Sequence, residues 1–389
     1  MSSANTSAHT CDTAVVGAGV FGAWTAYSLR RAGQSVVLLD AYGAGNSRAS
    51  SGGESRIIRM GYGADEIYTR WSVRALKLWR EFVDQVEPPL FHRTGVLWLA
   101  PADEPYTTAT LKTLQRVGVA SERLTPDELA HRFPQFAFDA EIWGILEPDS
   151  GVIMARRAVQ TLVQAALRDG VRYLRAAVVA PAGTGRLASL STQSGEIISA
   201  ANFVFACGPW LPKIFPALLN DLIHPTRQEV FFFGVPAGDS RFAPPEMPVW
   251  MDFSKLVYAL PDLEQRGLKI AFDRHGPSFD PDTGERNVTT EGLAAVRAHL
   301  ARRLPAMRGA PLLEARVCQY ENTANGDLLI DRHPAFENVW LVGGGSGHGF
   351  KHGPCVGVYV TELLLNESHD SEPRFTLAAK STVRERQVY

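Results

Sequence analysis

The glycine-rich turn near the start of the chain is the first group of residues that could do chemistry. Gly17, Gly19 and Gly22 follow a short apolar run at residues 13–16 and precede a helix-like segment. In this spacing the first glycine allows a tight turn, the second lets the backbone approach a pyrophosphate, and the third permits close helix–strand packing. The N–H groups at the start of the helix then bind phosphate. The turn therefore predicts a dinucleotide site.

An acidic residue, Asp40, ends the next apolar run at residues 35–39. A carboxylate at this place accepts hydrogen bonds from ribose hydroxyls and repels a 2′-phosphate, so FAD or NAD fits better than NADP. The glycine pattern alone is a weak signal, and an ordinary glycine-rich turn is the alternative. The strand before it, the helix after it and the acid at Asp40 favour the dinucleotide site but do not choose between FAD and NAD.

Hydrophobic periodicity indicates which elements must position these residues. It predicts helices over residues 23–31, 68–86, 106–117, 156–169 and 355–365. It predicts strands over residues 13–16, 35–39, 268–272 and 339–342, with two more within residues 187–205. The first strand, helix and second strand form a βαβ unit, which is typical of an α/β fold.

Composition excludes several classes of protein. The 389 residues suggest two or three domains, and 45% hydrophobic content is enough for a large core. A net charge of -2 argues against a protein that coats nucleic acid. No apolar run approaches the ~20 residues of a membrane span, and residues 1–10 lack a secretory signal, so we expect a cytoplasmic enzyme. Four scattered cysteines do not form a disulfide scaffold or a metal site.

Six further segments occur in one order across residues 12–375 and carry a resemblance to a known family. They are Ser55-Arg56-Ile57-Ile58-Arg59 with Tyr62-Gly63, Thr94-Gly95-Val96-Leu97, Glu147-Pro148-Asp149-Ser150-Gly151-Val152, Gly267-Leu268-Lys269-Ile270, Val317-Cys318-Gln319-Tyr320, and Ser346-Gly347-His348-Gly349-Phe350-Lys351. Together with the βαβ unit, the chain resembles the monomeric sarcosine oxidase and N-methyltryptophan oxidase family of FAD-dependent amine oxidases, within the D-amino-acid oxidase superfamily.

The resemblance implies a Rossmann-type FAD-binding domain and a second, mixed-sheet domain that binds substrate. We expect residues 1–90, 150–225 and 318–389 in the FAD-binding domain, and residues 91–149 and 226–317 in the substrate-binding domain. It also implies oxidation of the carbon–nitrogen bond of a secondary amine, such as an N-methyl, cyclic or fructosyl amino acid. O₂ then takes the electrons from the flavin and gives H₂O₂.

The resemblance assigns roles to particular side chains. Cys318 matches the position that attaches FAD covalently, and Lys269 matches the lysine that activates oxygen. Arg56 matches an arginine beside the flavin ring, and Tyr258 an active-site tyrosine that could bind substrate. Without the resemblance, a free buried cysteine and an ordinary lysine on a strand would be the usual interpretations.

Two cations from distant parts of the sequence, Arg59 and Lys351, match the pair that holds the substrate carboxylate. An arginine can bind a carboxylate in bidentate fashion. Surface charges on a loop are the alternative for Arg56 and Arg59. His348 is interpreted as a residue that stabilises its turn by hydrogen bonding. No metal site is expected. The expected cofactor contacts are Gly17, Gly19, Val20, Phe21, Gly22, Asp40, Arg48, Ser55, Arg56, Val178, Gly208, Cys318, Gly345, Gly347, His348, Gly349 and Lys351.

The chain departs from the sarcosine oxidases at Asp273, where they carry a histidine. An acid at this spacing resembles the fructosyl-amine oxidases and would favour a cationic amine or a hydroxyl-rich substrate. It could also help to remove the ammonium proton before hydride transfer. The alternative is that Asp273 simply pairs with Arg274 or another cation, and the two interpretations stand equal.

Other functions compete with the amine oxidase. A flavin amine dehydrogenase would pass electrons to a partner rather than to O₂, and Lys269 argues against it. A flavin-bearing sensor would not need residues that bind a substrate carboxylate. An NAD-dependent dehydrogenase explains residues 13–40 and nothing after them. We expect no nucleic acid or membrane partner, and a monomer or weak homodimer.

Overall fold

The computed structural model describes residues 8–366 and 371–381, which divide into two compact units. Within the described residues, the first unit contains residues 8–54, 154–226, 319–366 and 371–381, and the second contains residues 55–153 and 227–318. The first stretch ends at Glu54, whereas the expected FAD-binding stretch extends to residue 90. Which unit binds FAD and which binds substrate stays a prediction.

The strands of both units are numbered here in chain order. They are β1 (Ala8–Val16), β2 (Val36–Leu39), β3 (Arg56–Ile58), β4 (Phe91–His92), β5 (Val96–Ala100), β6 (Glu122–Leu124), β7 (Trp143–Glu147), β8 (Gly151–Ile153), β9 (Arg172–Leu174), β10 (Ser189–Ser191), β11 (Ile197–Phe205), β12 (Ile223–Phe233), β13 (Val249–Asp252), β14 (Val257–Leu260), β15 (Leu268–Phe272), β16 (Leu312–Thr323), β17 (Leu329–Arg332) and β18 (Val339–Gly343).

The α-helices are numbered in the same way. They are α1 (Val20–Arg31), α2 (Glu66–Val83), α3 (Pro105–Val117), α4 (Pro126–Arg132), α5 (Ala155–Arg168), α6 (Leu211–Ile214), α7 (Pro216–Leu219), α8 (Thr290–Arg303) and α9 (Gly353–Leu365).

The first unit is built on a sheet with the strand order β17-β18-β11-β1-β2-β9, and β10 pairs with β11 off this path. β18, β11, β1, β2 and β9 run parallel, and β17 adds an antiparallel edge. Parallel strands need crossover connections, usually helices on the sheet faces. This is the doubly wound, Rossmann-type architecture, so the predicted α/β fold class is confirmed.

Two glycines of α9 allow it to pack closely on α1. A Cβ at Gly357 would meet backbone atoms of Trp24 at 2.6 Å, and one at Gly353 would also meet the Trp24 ring, at 2.9 Å. Just before α9, a Cβ at Gly349 would meet the Phe21 ring at 2.8 Å. α9, which follows the glycine-rich turn at residues 343–349, is therefore fixed against α1, which follows the glycine-rich turn at residues 17–19.

The second unit is built on a sheet with the order β16-β12-β15-β14-β13-β5-β7-β6. β12 begins within the chain segment of the first unit that ends at Thr226, and β16 ends within the segment that begins at Gln319. β13 runs parallel to β5, whereas β14, β15 and β7 pair antiparallel with their neighbours, so the sheet is mixed as expected. β3, β8 and β4 form a smaller sheet. The core contains Phe231, Trp250 and Leu300 among many apolar side chains.

Most elements predicted from periodicity are present, with small shifts at their ends. The strand predicted over residues 268–272 matches β15, and the helix predicted over residues 68–86 is α2, which ends at Val83. β1 begins at Ala8 rather than at residue 13. Among the described residues, no helix combines the length and apolarity needed to cross a bilayer.

Candidate active site

The glycine turn after β1 closes as its sequence predicts. Gly17 has a φ of +105°, which glycine adopts readily, and a Cβ there would meet the carbonyl oxygen of Ala206 at 2.3 Å. A Cβ at Gly22 would meet the Gly17 carbonyl oxygen at 1.8 Å, so α1 packs directly on the turn. At Gly19 a Cβ would have open space apart from Ser51 Oγ at 3.4 Å, which suits close approach of a phosphate.

Asp40 holds the same turn from the end of β2. Its Oδ2 accepts a hydrogen bond from the Ala18 N–H at 2.8 Å, and its Oδ1 accepts from the N–H groups of Tyr42 and Gly43 at 2.8 Å each. The carboxylate therefore organises the loop around it, a role that the sequence did not predict. A carboxylate offers about four lone-pair sites, so one remains for a ribose hydroxyl. The ribose contact stays a prediction.

Two further expected cofactor contacts, Arg48 and Val178, also lie in the first unit. The Arg48 guanidinium lies 4.7 Å from the centre of the Tyr42 ring, and the Arg48 carbonyl accepts a hydrogen bond from Gln319 Nε2 at 2.7 Å. Val178 forms an isolated antiparallel bridge with Thr192. Their contacts with a cofactor stay predictions.

The second glycine turn follows β18, and Glu321 of β16 lies against it. Glu321 Oε1 accepts a hydrogen bond from the Gly345 N–H at 3.2 Å. Oε2 has no hydrogen-bond partner, and it lies 3.4 and 3.7 Å from where Cβ atoms would stand at Gly343 and Gly208. Burial raises the pKa of Glu321 to about 7. A buried acceptor without a donor is costly, so this oxygen suits a ligand that brings a hydroxyl or N–H group.

The rest of this turn is held by its own hydrogen bonds. Gly347 has a φ of +81°, and His348 Nε2 lies 2.9 Å from the Gly326 carbonyl oxygen. That contact ties the turn to Gly326, in the connection between β16 and β17. Lys351 is buried, and its Nζ donates to the His348 carbonyl oxygen at 2.9 Å. The turn therefore places a buried ammonium group close to the start of α9.

The residues of the first unit fit a dinucleotide such as FAD. The turn at Gly17 and Gly22 cannot hold side chains, and its helix begins at the carboxyl ends of parallel strands, where open α/β sheets bind their ligands. The unpartnered Oε2 of Glu321 lies near Gly343 and Gly208, at the carboxyl ends of β18 and β11 in the same sheet. A cofactor with phosphates and hydroxyl groups would satisfy both features.

In the second unit, Ser55 brings together three of the predicted residues. Its carbonyl oxygen accepts hydrogen bonds from Arg56 Nη1 at 2.8 Å and from Lys269 Nζ at 2.8 Å. Arg56 Nη2 lies 3.4 Å from Cys318 Sγ. Lys269 is buried and Cys318 is half-buried. Two cations thus share a single backbone carbonyl, and the thiol lies beside one of them.

Tyr258 lies on the same face of the sheet as Lys269, and Asp273 directly follows the end of β15. Lys269 and Ala271 are two residues apart on β15, so their side chains point to the same face of the sheet. Ala271 pairs with Tyr258 of β14. Tyr258 and Cys318 pack against a small apolar cluster that includes Phe232, which sequence reasoning missed. Asp273, the residue after the end of β15, is buried, and its N–H donates to the Leu256 carbonyl oxygen at 2.7 Å.

The expected alternative pairing of Asp273 with Arg274 does not form. The Arg274 guanidinium instead lies 4.3 Å from the centre of the Phe272 ring, and it makes no ion pair within the described part of the chain. The alternative is therefore wrong for Arg274, although other interactions of Asp273 exist. The substrate role of Asp273 stays a prediction.

Arg59 is a buried cation, 2% exposed, in the second unit. Its Nη1 donates to the Gly61 carbonyl oxygen, and its guanidinium lies 4.6 and 4.9 Å from the ring centres of Tyr62 and Trp98. Over the residues that the structure describes, no carboxylate lies within 4.0 Å of it. The interpretation of Arg59 as a surface loop charge is therefore wrong.

The predicted residues divide between the two units. The first contains Gly17, Gly19, Val20, Phe21, Gly22, Asp40, Arg48, Val178, Gly208, Gly345, Gly347, His348, Gly349 and Lys351. The second contains Ser55, Arg56, Arg59, Tyr258, Lys269, Asp273 and Cys318. Sequence reasoning missed Glu321 and Glu147. An acid inside a buried strand was the available signal for both: Glu147 opens a quoted motif, and Glu321 directly follows one.

Comparison with known proteins agrees with this arrangement. The family described as FAD dependent oxidoreductase matches residues 12–363. Peroxisomal sarcosine oxidase from Homo sapiens is 30% identical over 378 residues, which cover 93% of this chain and 94% of that protein. Monomeric sarcosine oxidase from Bacillus sp. (strain B-0618) is 29% identical over 362 residues, or 91% and 92% of the two chains. N-methyl-L-tryptophan oxidase from Salmonella heidelberg (strain SL476) is 28% identical over 92% and 95%.

Solved structures share the fold at low sequence identity. L-proline dehydrogenase from P. horikoshii has a TM-score of 0.84 and 19% identity, and the match covers 97% of this chain and all of that one. A thermally stable mutant of fructosyl peptide oxidase has a TM-score of 0.79 and 22% identity, over 94% and 93% of the two chains.

Proposed function

This chain belongs to the FAD dependent oxidoreductase family, and we propose that it oxidises the carbon–nitrogen bond of an N-substituted amino acid. Its relatives include oxidases of sarcosine and of N-methyl-L-tryptophan, which are both N-methyl amino acids. The observation that carries the proposal is the buried Arg59 guanidinium without a carboxylate partner among the described residues.

Arg59 suits the carboxylate that every N-substituted amino acid carries. A buried charge without a counter-ion is strongly unfavourable, and an arriving carboxylate removes that penalty through charge-assisted, bidentate hydrogen bonds. The Tyr62 and Trp98 rings lie against the guanidinium, with their centres 4.6 and 4.9 Å from its carbon, and they supply no counter-ion for it. The role of Lys351 as a second cation for the same carboxylate rests on the sequence resemblance.

FAD would be held by the residues of the first unit. The backbone at Gly17 and Gly19 suits the pyrophosphate, Asp40 the ribose, and Glu321 a hydroxyl or N–H donor. Bound FAD would accept the two electrons that the substrate loses when its C–H bond breaks. Cys318 is the residue that we assign to covalent attachment. Arg56 Nη2 lies 3.4 Å from Cys318 Sγ, so the arginine lies directly beside the proposed attachment point.

Lys269 is assigned to the reaction with O₂. Its ammonium group is buried and fixed by the Ser55 carbonyl oxygen at 2.8 Å. One-electron transfer to O₂ creates negative charge, and a fixed positive charge in a buried site stabilises that charge without reorganisation. The products are therefore H₂O₂ and an imine, which water hydrolyses to an amine and a carbonyl compound. A dehydrogenase that uses a partner protein is the alternative.

Tyr258 and Asp273 are assigned to the amine end of the substrate. Asp273 is buried at the end of β15, so a cationic amine or a substrate hydroxyl near it would be favoured. The carboxylate could also accept the ammonium proton, which frees the nitrogen lone pair before the C–H bond breaks. Tyr258 offers a hydroxyl on the sheet face that carries Lys269.

The test is a panel of N-methyl, cyclic and fructosyl amino acids, each compared with the same amine lacking its carboxylate. Flavin bleaching is followed without oxygen, and H₂O₂ is followed in air. We expect at least one amino acid to bleach the flavin and to yield one H₂O₂ per substrate. Its carboxylate-free analogue should have a kcat/KM about 100-fold lower, which corresponds to about 3 kcal/mol. Failure of every amino acid to bleach the flavin would overturn the proposal.

Three variants separate the finer assignments. Bleaching without H₂O₂ identifies the dehydrogenase alternative, and Lys269→Met should slow reoxidation by air at least tenfold without slowing bleaching. Flavin that stays with the protein after acid precipitation supports Cys318, and Cys318→Ser should release it. Asp273→Asn should change the ranking of substrates, and an unchanged ranking would remove Asp273 from the substrate site.

We also propose that the protein works in the cytoplasm as a monomer or weak homodimer. In the part of the chain that the structure describes, none of the four cysteines forms a disulfide, which is usual in a reducing compartment and supports the first proposal. Light scattering after size-exclusion chromatography across a tenfold concentration range tests the second, and a stable assembly larger than a dimer would contradict it.

A further inference from the structure

We infer that Glu147 is a positioning residue that fixes Arg59 for binding of a substrate carboxylate. This inference rests on the proposed function and concerns the same substrate-binding site. Glu147 ends β7 and opens a motif that the resemblance quoted without giving it any role. It is completely buried, in the second unit like Arg59. Nothing in the proposed chemistry so far uses it.

The Glu147 carboxylate is fully occupied by neutral donors. Oε2 accepts hydrogen bonds from the Met60 N–H at 2.8 Å and from Ser150 Oγ at 2.5 Å. Oε1 accepts from the Gly61 N–H at 3.0 Å and from Trp98 Nε1 at 2.7 Å. Four donors match the four lone-pair sites of a carboxylate. The ion is thereby stabilised in the core without any contact with a cation.

Two of these bonds fix groups that touch Arg59. Gly61 donates its N–H to Glu147 and accepts the Arg59 guanidinium at its carbonyl oxygen. Trp98 donates its indole N–H to Glu147 and presents its ring to the same guanidinium at 4.9 Å. A Cβ at Gly61 would meet Trp98 at 2.6 Å and Glu147 Oε1 at 3.0 Å. Glu147 therefore links both surfaces that hold Arg59.

The charge of Glu147 stays away from Arg59, which matters for binding. In the described chain no carboxylate oxygen comes within 4.0 Å of the guanidinium, Glu147 included. A direct Glu147–Arg59 ion pair would neutralise the cation and compete with the substrate. Because its lone pairs are occupied by neutral donors, the acid orients the arginine and leaves its charge for the ligand.

Glu147→Gln tests the inference because it keeps the shape and removes acceptor capacity. An amide has one oxygen, and its NH₂ group would face two N–H or O–H donors. We expect KM for the best amino acid of the panel, and the inhibition constant of acetate, to rise at least tenfold. The kcat and the KM of the carboxylate-free amine should change less than threefold. Glu229→Gln is the matched control, since Glu229 also accepts from a backbone N–H, that of Thr289, in the same unit. It should change neither constant for acetate or substrate.

A double-mutant cycle with Arg59→Met distinguishes positioning from general damage. If Glu147 acts through Arg59, adding Glu147→Gln to Arg59→Met should raise the acetate constant less than twofold further. Equal and additive effects would overturn the inference. If Arg59→Met itself leaves acetate binding unchanged, the proposed function fails. If Arg59→Met weakens acetate binding and Glu147→Gln does not, only the role of Glu147 fails.

Ser150→Ala keeps the inference testable if Glu147→Gln does not fold. It removes the shortest of the four hydrogen bonds and leaves the carboxylate in place. We expect a two- to fivefold rise in the acetate constant in the same cycle with Arg59→Met. No change in this constant, with a lowered melting temperature, would show that the network is structural only.

Discussion

Two arginines are equally buried in the second unit and have opposite surroundings. Arg303 is 1% exposed, and its Nη2 lies 2.7 Å from Asp252 Oδ2 and 3.4 Å from Asp139 Oδ2. Its Nη1 also donates to the Ala137 carbonyl oxygen at 2.8 Å. Arg59 is 2% exposed and has one carbonyl oxygen and two aromatic rings.

The contrast separates a structural cation from a binding cation. Arg303 has its counter-ion inside the fold, so its charge is neutralised whether or not a ligand is present. The charge of Arg59 is removed from water but is not neutralised by a carboxylate, and the favourable interactions of the rest of the unit must compensate for that penalty. Binding sites commonly keep such unfavourable features because a ligand relieves them. Stability and ligand binding should therefore respond in opposite ways to changes at the two arginines.

The largest expected effect is on stability, at the paired arginine. Asp252→Asn leaves Arg303 buried without its closest counter-ion and should lower the free energy of unfolding by about 3–5 kcal/mol. Urea denaturation measures this loss. Asp252→Leu combined with Arg303→Met should recover most of it. A loss below 1 kcal/mol for Asp252→Asn would show that the two arginines do not differ as described.

Arg59→Met should give the reverse result. We expect kcat/KM for the amino acid substrate to fall about 100-fold, or about 3 kcal/mol, because the carboxylate loses its partner. The free energy of unfolding should stay the same or rise, since a buried unpaired charge is removed. Steady-state kinetics and urea denaturation on the same sample check both. A loss of stability as large as that of Asp252→Asn would contradict the comparison.

Glu321 in the first unit extends the comparison to a buried acid. Its pKa is raised to about 7 from an unfolded value of 4.5, so the folded state binds more protons between these values. The stability of the flavin-free protein should therefore fall as pH rises from 4.5 to 7, by up to about 3 kcal/mol. Glu321→Gln should remove this dependence and be more stable than wild type above pH 7. Urea denaturation at pH 5 and pH 8 measures the difference.

His299 gives a second pH-dependent effect and sharpens the description of the paired arginine. Burial is the main cause that lowers the pKa of His299 to about 4, although Asp252, 3.9 Å away, favours its charged form. The unfolded state then binds more protons between pH 4 and 6.5, so stability should fall as pH drops through this window. His299→Asn should flatten that acid limb. Melting temperatures from pH 4 to 7 test it.

The first unit was largely predictable because its rules are local. A tight turn with φ of +105° and helix–strand contact require glycine at Gly17 and Gly22, whatever surrounds them. In the second unit, β5, β7 and β13 are buried on both faces, so their sequences lack the alternation that marks a strand. Among the strands of this unit, only β15, with Lys269, was predicted, whereas the helices α2 and α3 were both predicted.

The chemical role of a charge was less predictable than its position. Arg59 was identified by resemblance, but its missing counter-ion depends on which acids the fold brings near it. Glu147 and Glu321 lie in sequence beside the motifs, yet the four donors around one and the unpartnered oxygen of the other come from distant segments. Such partners are a property of tertiary structure.

The close packing of Gly353 and Gly357 on Trp24 has a consequence for affinity. α1 and α9 follow the two glycine turns, and because the α9 glycines let α9 pack directly on Trp24 of α1, the two helices cannot shift independently. The turns are thereby held in a fixed spacing before any ligand arrives. A long cofactor that touches both would lose its own freedom on docking but would not have to order the polypeptide, so more of its contact energy appears as tight retention.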